Sequence, residues 1–213
     1  MNLIKSYKAT PEPTLRRLPR YVHLLNKIKA DGLTEVSSTF IAKEMSLDPT
    51  QVRKDIEYTG VTGRPKTGYN IEQLIIGIKG FLSWNKINDA FIAGVGSLGT
   101  AMLGYTRFKE YGLNYVAAFD NDQMKIGSRV HNVPIFSLDK IPDLAKKMKI
   151  KIGVITVPAF AAQTVANYMI EGGIKAIWNF APIQIKVPEK IVLENAQLTQ
   201  SLAVLTRRLF EID

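Results

Sequence analysis

The sequence of 213 residues contains no cysteine. That excludes disulfides, zinc–thiolate sites and thiol nucleophiles. Histidine is almost as scarce: His23 and His131 are the only two, so acid–base chemistry through imidazole has few carriers. No apolar run approaches the ~20 residues of a membrane span. The start, Met1-Asn2-Leu3-Ile4-Lys5, has no apolar stretch of signal-peptide length. A cytoplasmic location is expected, and the absence of cysteine is compatible with it. Acidic residues are outnumbered, 19 Asp and Glu against 28 Lys and Arg, for a net charge of +9. Such a balance suits an anionic partner, although many basic proteins bind none. With 46% hydrophobic residues the chain can fill one large or two small domains.

The most informative stretch is Phe91 to Ala101. The apolar run Ala90 to Ala93 reads as a buried strand and enters G-x-G-x-x-G at Gly94, Gly96 and Gly99. The first glycine permits the tight turn, the second lets backbone N–H groups approach a pyrophosphate, and the third lets helix pack on strand. Thr100 to Tyr111 then has helix composition, and the helix N-terminus offers N–H groups and a positive dipole end to phosphates. A second strand, Tyr115 to Phe119, ends in Asp120, 21 residues after Gly99. An acid there accepts hydrogen bonds from an adenosine ribose and repels a 2′-phosphate, which favours NAD(H) over NADP(H). The blander possibility is a tight strand–helix turn followed by a capping aspartate.

The basic residues lie before this motif. Residues 5–20 hold Lys5, Lys8, Arg16, Arg17 and Arg20 against Glu12 alone. After Pro11 and Pro13, Thr14 can cap a helix, and Leu15, Leu18, Val22, Leu25 and Ile28 keep helical spacing as far as Gly32. Pro19 is expected to start the main helix after a short first turn, or to kink it. A second helix starts near Ser37 or Ser38. A third follows Asp48 as N-cap, with Pro49 in its first position and Gln51 where a capping box wants it. Val52 and Ile56 share its buried side, which leaves Gln51, Arg53 and Lys54 on or near the exposed side. This is the helix-turn-helix pattern, whose second helix enters the major groove. Gly63-Arg64-Pro65-Lys66 and Gly68-Tyr69 read as a hairpin wing with Arg64 and Lys66 at its tip, able to follow a phosphate backbone or enter a minor groove. A small helical domain with a solvated basic face would share most of these features. Asn70 caps a fourth helix, and Trp84 is expected to pack at the domain junction.

Beyond Asp120, Val130 to Phe136 reads as a short strand or extended segment, and Ile141 to Met148 as a helix with a solvated lysine face (Lys146, Lys147, Lys149). Ile152 to Pro158 is a strand, Ala159 to Glu171 its helix, and Ile174 to Asn179 another strand. Alternation of this kind implies a doubly wound parallel sheet, whose ligands bind at the carboxyl ends of the strands. Val157, Pro158 and Ala159, and Asn179, Phe180 and Ala181, therefore fall where a nicotinamide could lie. The tail is a final helix with Leu198, Leu202, Leu205, Leu209 and Ile212 at spacings of 4, 3, 4 and 3. That narrow seam suits a partner helix or subunit groove, or a return onto its own domain.

Three other assignments share parts of this pattern: a small NAD-dependent oxidoreductase, a CoA-binding module, and a DNA-binding repressor whose second domain serves only dimerisation. Against the enzyme, His23 falls in a helix and His131 in a polar turn, neither at a predicted strand end, and no substrate domain remains. Against CoA, Asp120 favours an adenosine ribose without a nearby phosphate.

Arg16-Arg17-Leu18-Pro19-Arg20-Tyr21, the stretch Asp48 to Asp55, Gly94-Val95-Gly96-Ser97-Leu98-Gly99, Phe119-Asp120 and Asn179-Phe180-Ala181-Pro182 together resemble the Rex family of redox-sensing transcriptional repressors. The resemblance covers nearly the whole chain. It implies an α/β protein: a winged helix-turn-helix DNA-binding domain over 1–84, a Rossmann-like NAD(H)-binding domain over 85–196, and a dimerisation helix over 197–213 that swaps onto the partner subunit. It implies a homodimer on inverted-repeat operator DNA, released when NADH binds and closes the dimer, with NAD+ competing weakly, and neither a catalytic residue nor a metal. The dinucleotide would meet Gly94, Val95, Gly96, Ser97, Leu98, Gly99, Asp120, Val157 to Ala159 and Asn179 to Ala181. DNA would meet Gln51, Arg53, Lys54, Arg64 and Lys66, with Arg16 and Arg17 either touching DNA or pairing with acids. One departure stands out: the family often carries Asp just before the final helix, where this chain has Gln197.

Overall fold

The structure, a computed structural model, describes residues 10–196 and 198–211. It divides into two compact units that meet in sequence between Lys86 and Ile87.

The first unit contains α1 (Glu12–Ala30), β1 (Glu35–Val36), α2 (Ser38–Met45), α3 (Pro49–Glu57), β2 (Tyr69–Asn70) and α4 (Ile71–Phe81). Local chemistry sets its helix starts. Ser37 accepts from Phe40 N at 3.0 Å, Asp48 from Thr50 N at 2.7 Å, and Asn70 from Gln73 N at 3.0 Å. Each satisfies an N–H that the first helical turn leaves unpaired. The turn between α2 and α3 is possible because Ser46 takes the left-handed conformation that ends α2 (φ 53°). Helix α1 begins earlier than expected, at Glu12, and runs through Pro19. Thr14 is therefore not a cap; it is the third residue of the helix and is buried. Leu15, expected in the core, is exposed. Leu18, Tyr21, Leu25, Ile41, Val52, Ile56, Leu74 and Ile78 form the core, and Trp84 packs onto it. The wing is a five-residue loop closed by Arg64 and Gly68, which exchange backbone hydrogen bonds at 2.6 and 2.9 Å. Below it β1 and β2 pair antiparallel, Val36 opposite Tyr69.

The second unit contains β3 (Asn88–Ala93), α5 (Ser97–Gly104), β4 (Leu113–Asp120), β5 (Arg129–Val130), β6 (Val133–Ser137), α6 (Ile141–Met148), β7 (Ile152–Ile155), α7 (Ala159–Glu171), β8 (Ala176–Asn179), β9 (Val192–Asn195) and α8 (Leu198–Leu209). The sheet order is β5-β6-β4-β3-β7-β8-β9. All neighbours are parallel except the edge hairpin β5–β6. Chain order runs outward from β3 in one direction through β4 to β6, then from β7 in the other. The switch point, where open α/β sheets bind ligands, lies between β3 and β7. Alternation divides the core: Phe91, Ala93 and Phe119 face α6 and α7, while Ile92, Ala118 and Val154 face Met102 and Leu103 of α5.

Two sequence expectations change, one strand was not expected, and one alternative for the tail is set aside. The helix expected over 100–111 stops at Gly104. Tyr105 turns out of it (φ −82°, ψ 84°), and Thr106–Tyr111 coils as a tighter 3-10 helix. A side chain at Gly104 would strike the His131 ring. The break also lets Phe108 fold edge-on against Tyr115 and Trp178, with ring centres 6.0 Å apart in each case. The segment 130–136 is two strands, turned by His131 and Asn132 in left-handed conformations. β9 had no strand signature, because its burial alternates only weakly at the sheet edge. In α8, Leu202, Leu205 and Leu209 are exposed, along with Val204 and, just beyond the helix, Phe210; among the described residues the seam does not return onto its own unit. The side chain of Leu198, together with Ile212 and Gln197, lies outside the described residues.

Candidate dinucleotide cleft and nucleic-acid face

The glycine turn sits at the carboxyl end of β3, against the end of β7. Gly94 has φ +98°, and a Cβ there would lie 2.7 Å from the Thr156 carbonyl carbon and 2.8 Å from Val157 N. A Cβ on Gly99 would collide with the Gly94 carbonyl oxygen. Both glycines are thus required by close approach. Gly96 differs: nothing lies within 4 Å of a Cβ built there. It is also the N-cap of α5, with no side chain capping the helix. Thr156 ties the turn to β7, its one hydroxyl hydrogen shared between Ala93 O at 3.0 Å and Gly94 O at 2.7 Å.

A cleft of about 520 Å³ opens over this turn. Its polar lining comes from Gly94, Gly96, Asp120, Asn121, Lys125 and Thr156, and its apolar lining from Leu138, Val157, Pro158, Phe160, Ala161, Phe180 and Pro182. Asp120 is buried (7% exposed). Its Oδ2 accepts from Val95 N at 2.7 Å and from Lys125 Nζ at 3.3 Å, and its Oδ1 from Asp122 N at 3.0 Å. Burial pushes its pKa up, but the two backbone N–H groups and Lys125 outweigh burial and hold it below the ordinary value. A carboxylate has four lone-pair directions. Three are used, which leaves room for a sugar hydroxyl. An uncapped helix start, an open glycine and an ionised aspartate lining one cleft fit a dinucleotide's pyrophosphate and ribose.

Of the expected ligand residues, the cleft gathers Gly94, Gly96, Asp120, Val157, Pro158 and Phe180. Val95, Ser97, Leu98, Gly99, Ala159, Asn179 and Ala181 are not among its lining. Asn179 is engaged elsewhere. The side chain is buried, donates to Ile183 O and Asn195 Oδ1 at 2.9 Å each, and accepts from Ala181 N at 3.0 Å. It staples the loop after β8 to the neighbouring strand. Lys125, Thr156 and Phe160 were missed. Lys125 stands five residues past Asp120 in a polar turn with no motif of its own, and Thr156 looked like one more strand residue.

In the first unit, Arg53 and Lys54 on α3 and Arg64 and Lys66 on the wing are exposed. Arg53 lies 3.1 Å from Thr50 Oγ1. Arg16 is exposed and pairs with Glu12 at 2.7 Å, an ion pair of at most about 1 kcal/mol. Of the two alternatives for Arg17, DNA contact or pairing with an acid, its side chain takes the second geometry here. Its side chain turns inward, Nε 2.6 Å from Asp55 Oδ2 and Nη2 2.8 Å from Oδ1. Gln51 is half-buried and donates to Asp55 Oδ1 at 3.0 Å, so it does not close the expected capping box with Asp48. Asp55, fully buried, also accepts from Thr14 and Tyr21. Burial raises its pKa, yet the bonds from Arg17, Tyr21, Thr14 and Gln51 hold it below the ordinary value. The same pairing raises Arg17, and burial raises Tyr21.

Among the described residues there is no group of three or more His, Asp or Glu placed to hold a metal, and no helix long and apolar enough to cross a membrane. Comparison with known proteins matches residues 85–183 to a CoA-binding domain family and residues 9–56 to a family described as the N-terminus of putative DNA-binding proteins. A redox-sensing transcriptional repressor Rex of Treponema denticola is 48% identical over 93% of this chain and 94% of its own length. That of Bacteroides thetaiotaomicron is 45% identical over 93% and 90%. Among solved structures, RSP in complex with β-NAD+ and operator DNA has a TM-score of 0.89 at 34% identity, covering 94% of this chain and 93% of that one. RSP in complex with β-NADH has a TM-score of 0.86 at 32% identity, with 95% of each covered. RSP is a Rex-family repressor. These full-length relatives are repressors rather than enzymes, and they set aside both the oxidoreductase and the CoA module as whole-chain assignments. A winged helix joined to this glycine turn and aspartate, matched end to end, makes the chain a member of the Rex family of redox-sensing transcriptional repressors.

Proposed function

We propose that this chain represses transcription as a homodimer on an inverted-repeat operator and releases it when NADH rises relative to NAD+. The observation that carries the reading is the cleft at the β3–β7 switch point, lined by Asp120, Gly94 and Gly96 together, in a chain that also bears an exposed basic recognition helix and wing. The domains divide the work. Residues 1–84 read DNA, 85–196 hold the dinucleotide, and 197–213 join the subunits.

Arg53 and Lys54 on α3 meet bases and phosphates, with Gln51 beside them. Arg64 and Lys66 grip the flanking backbone or minor groove, and Arg16 adds a phosphate contact by leaving Glu12. In the second unit, the free N–H groups at Gly96 and Ser97 receive a pyrophosphate and Asp120 receives a ribose hydroxyl. When bound, the dinucleotide supplies a ring that is neutral when reduced and cationic when oxidised. Val157, Pro158, Phe160 and Phe180 offer that ring an apolar wall, and such a wall disfavours the cation because burying an unpaired charge is costly. The ligand can switch the protein only by binding two dimer states unequally. The exposed stripe of Leu202, Leu205 and Leu209 on α8 suits a groove on the partner subunit, as in a swapped helix. The assembly acts in the cytoplasm, where NADH and the chromosome meet.

Calorimetric titration of the protein with NADH, NAD+, NADPH and CoA tests the ligand assignment. NADH is expected to bind tightest, NAD+ more weakly, and NADPH and CoA weakest. CoA binding ahead of NADH contradicts the reading.

A further inference from the structure

Asp55 lies one turn beyond Gln51 on α3, with its carboxylate fully buried. Five hydrogen bonds converge on it: from Thr14 Oγ1 at 2.9 Å, Arg17 Nε at 2.6 Å, Arg17 Nη2 at 2.8 Å, Tyr21 Oη at 2.7 Å and Gln51 Nε2 at 3.0 Å. Thr14, Arg17 and Tyr21 follow each other at helical spacing on one face of α1, so the whole cluster ties α1 to α3. The Arg17 fork fixes angle as well as distance, because both of its bonds must stay in line with one carboxylate. A buried ion pair is a poor source of stability, since an apolar contact of equal volume does as well or better. What it does supply is a unique arrangement of the two helices.

The cluster also reaches the DNA-facing side. Gln51 gives one amide N–H to Asp55. Its second N–H and its Oε1 remain, and these are the donor and acceptor that a glutamine offers to an adenine edge. Held at its amide, Gln51 has already lost the rotamer freedom that binding would otherwise remove.

We propose that Asp55 and Arg17 are positioning residues for operator recognition: together they fix the aim of α3 and the rotamer of Gln51, and Arg17 makes no phosphate contact. This rests on the reading of the first unit as an operator reader. It separates two properties that a direct contact would link. A lost phosphate contact weakens all DNA alike and lowers the salt slope by about one, whereas a mis-aimed helix loses discrimination with the slope intact.

The test uses the full chain and its Asp55→Asn, Arg17→Gln and Tyr21→Phe variants. An operator is first selected by the wild type from a pool of random duplexes. Affinity for that operator and for an unrelated duplex of equal length is then measured across a salt series. For Asp55→Asn and Arg17→Gln, the operator preference is expected to fall about tenfold with the salt slope of the unrelated duplex unchanged. Tyr21→Phe, which removes one donor and keeps the ring, shifts the preference in the same direction by less and decides the matter if the other variants fail to fold. An Arg17→Gln variant that weakens both duplexes equally and lowers the slope by about one overturns the proposal. So does a preference that survives in every folded variant. A wild type with no preference for any sequence overturns the repressor reading, and this proposal with it.

Discussion

Two alanine substitutions in the glycine turn separate its structural work from its ligand work. At Gly96 a methyl meets no atom within 4 Å, and the backbone (φ −83°, ψ −164°) suits any residue. Alanine there loses some N-cap preference, about 1 kcal/mol. It regains a similar amount because it restricts the unfolded chain more than glycine does, roughly 0.4–1 kcal/mol. The melting temperature of Gly96→Ala should therefore stay within a few degrees of wild type. The methyl nonetheless projects into the cleft where a pyrophosphate would approach, and each charge-assisted hydrogen bond it displaces is worth about 1.5–3 kcal/mol. NADH affinity should fall roughly 10- to 100-fold. At Gly99 the methyl is driven into the Gly94 carbonyl oxygen. Gly94 cannot yield, since it already lies against the Thr156–Val157 backbone. The turn must open, at an overpacking cost of about 1–3 kcal/mol or more. Gly99→Ala should lose both stability and NADH. Thermal melts followed by circular dichroism, paired with NADH fluorescence titration, read both properties. A Gly96→Ala protein that binds NADH as wild type does would refute the pyrophosphate placement; a Gly99→Ala protein as stable as wild type would refute the packing argument.

Other expectations follow from the same geometry. Asp120→Asn should weaken NADH about tenfold and narrow the gap to NADPH, because the charge that repels a 2′-phosphate is gone while Lys125, still 3.7 Å from Asp122 Oδ2, stays beside the ribose position; isothermal titration with both nucleotides checks this. Asp55 is held below its ordinary pKa, so the native state releases its proton more readily than the unfolded chain. Its contribution is full above the unfolded value of about 3.9 and is lost as pH falls through the lower folded value. The stability gap between wild type and Asp55→Asn in denaturant titrations should be constant near neutrality and shrink below about pH 4. Replacing both Arg64 and Lys66 by alanine should lower the salt slope of DNA binding by about two and weaken all sequences alike. Leu205→Asp, in the exposed stripe of α8, should shift sedimentation equilibrium toward monomer.

What was legible in the sequence was chemistry that acts over a few residues. Ser37, Asp48 and Asn70 cap helices because each needs only an N–H two or three positions on. The strand–glycine–helix turn and Asp120 carried their own spacing, and short apolar runs alternating with helical segments gave most of the sheet. What was not legible depends on distant partners. Asp55 sits between Val52 and Ile56 and looks like one more residue of an exposed turn. Its other donors, Thr14, Arg17 and Tyr21, lie 34 to 41 positions away. Their presence on a helix face shared with Leu18 and Leu25 was the available signal that Arg17 points inward. Asn179 looked like a ligand because it ends a strand at the cleft, yet its amide bonds the loop that follows it. The need for glycine at position 104, where α5 ends, comes from the His131 ring, brought against it by a hairpin further along the chain.

The central claim is that nucleotide redox state controls DNA binding by this chain. The most direct measurement titrates the protein–operator complex with NADH and, separately, with NAD+ at one fixed salt concentration, since phosphate contacts make affinity steeply salt-dependent. The account predicts release by NADH at concentrations where NAD+ leaves the complex intact, and loss of that response in Gly96→Ala. Release by both nucleotides at the same concentration, or by neither, would contradict it.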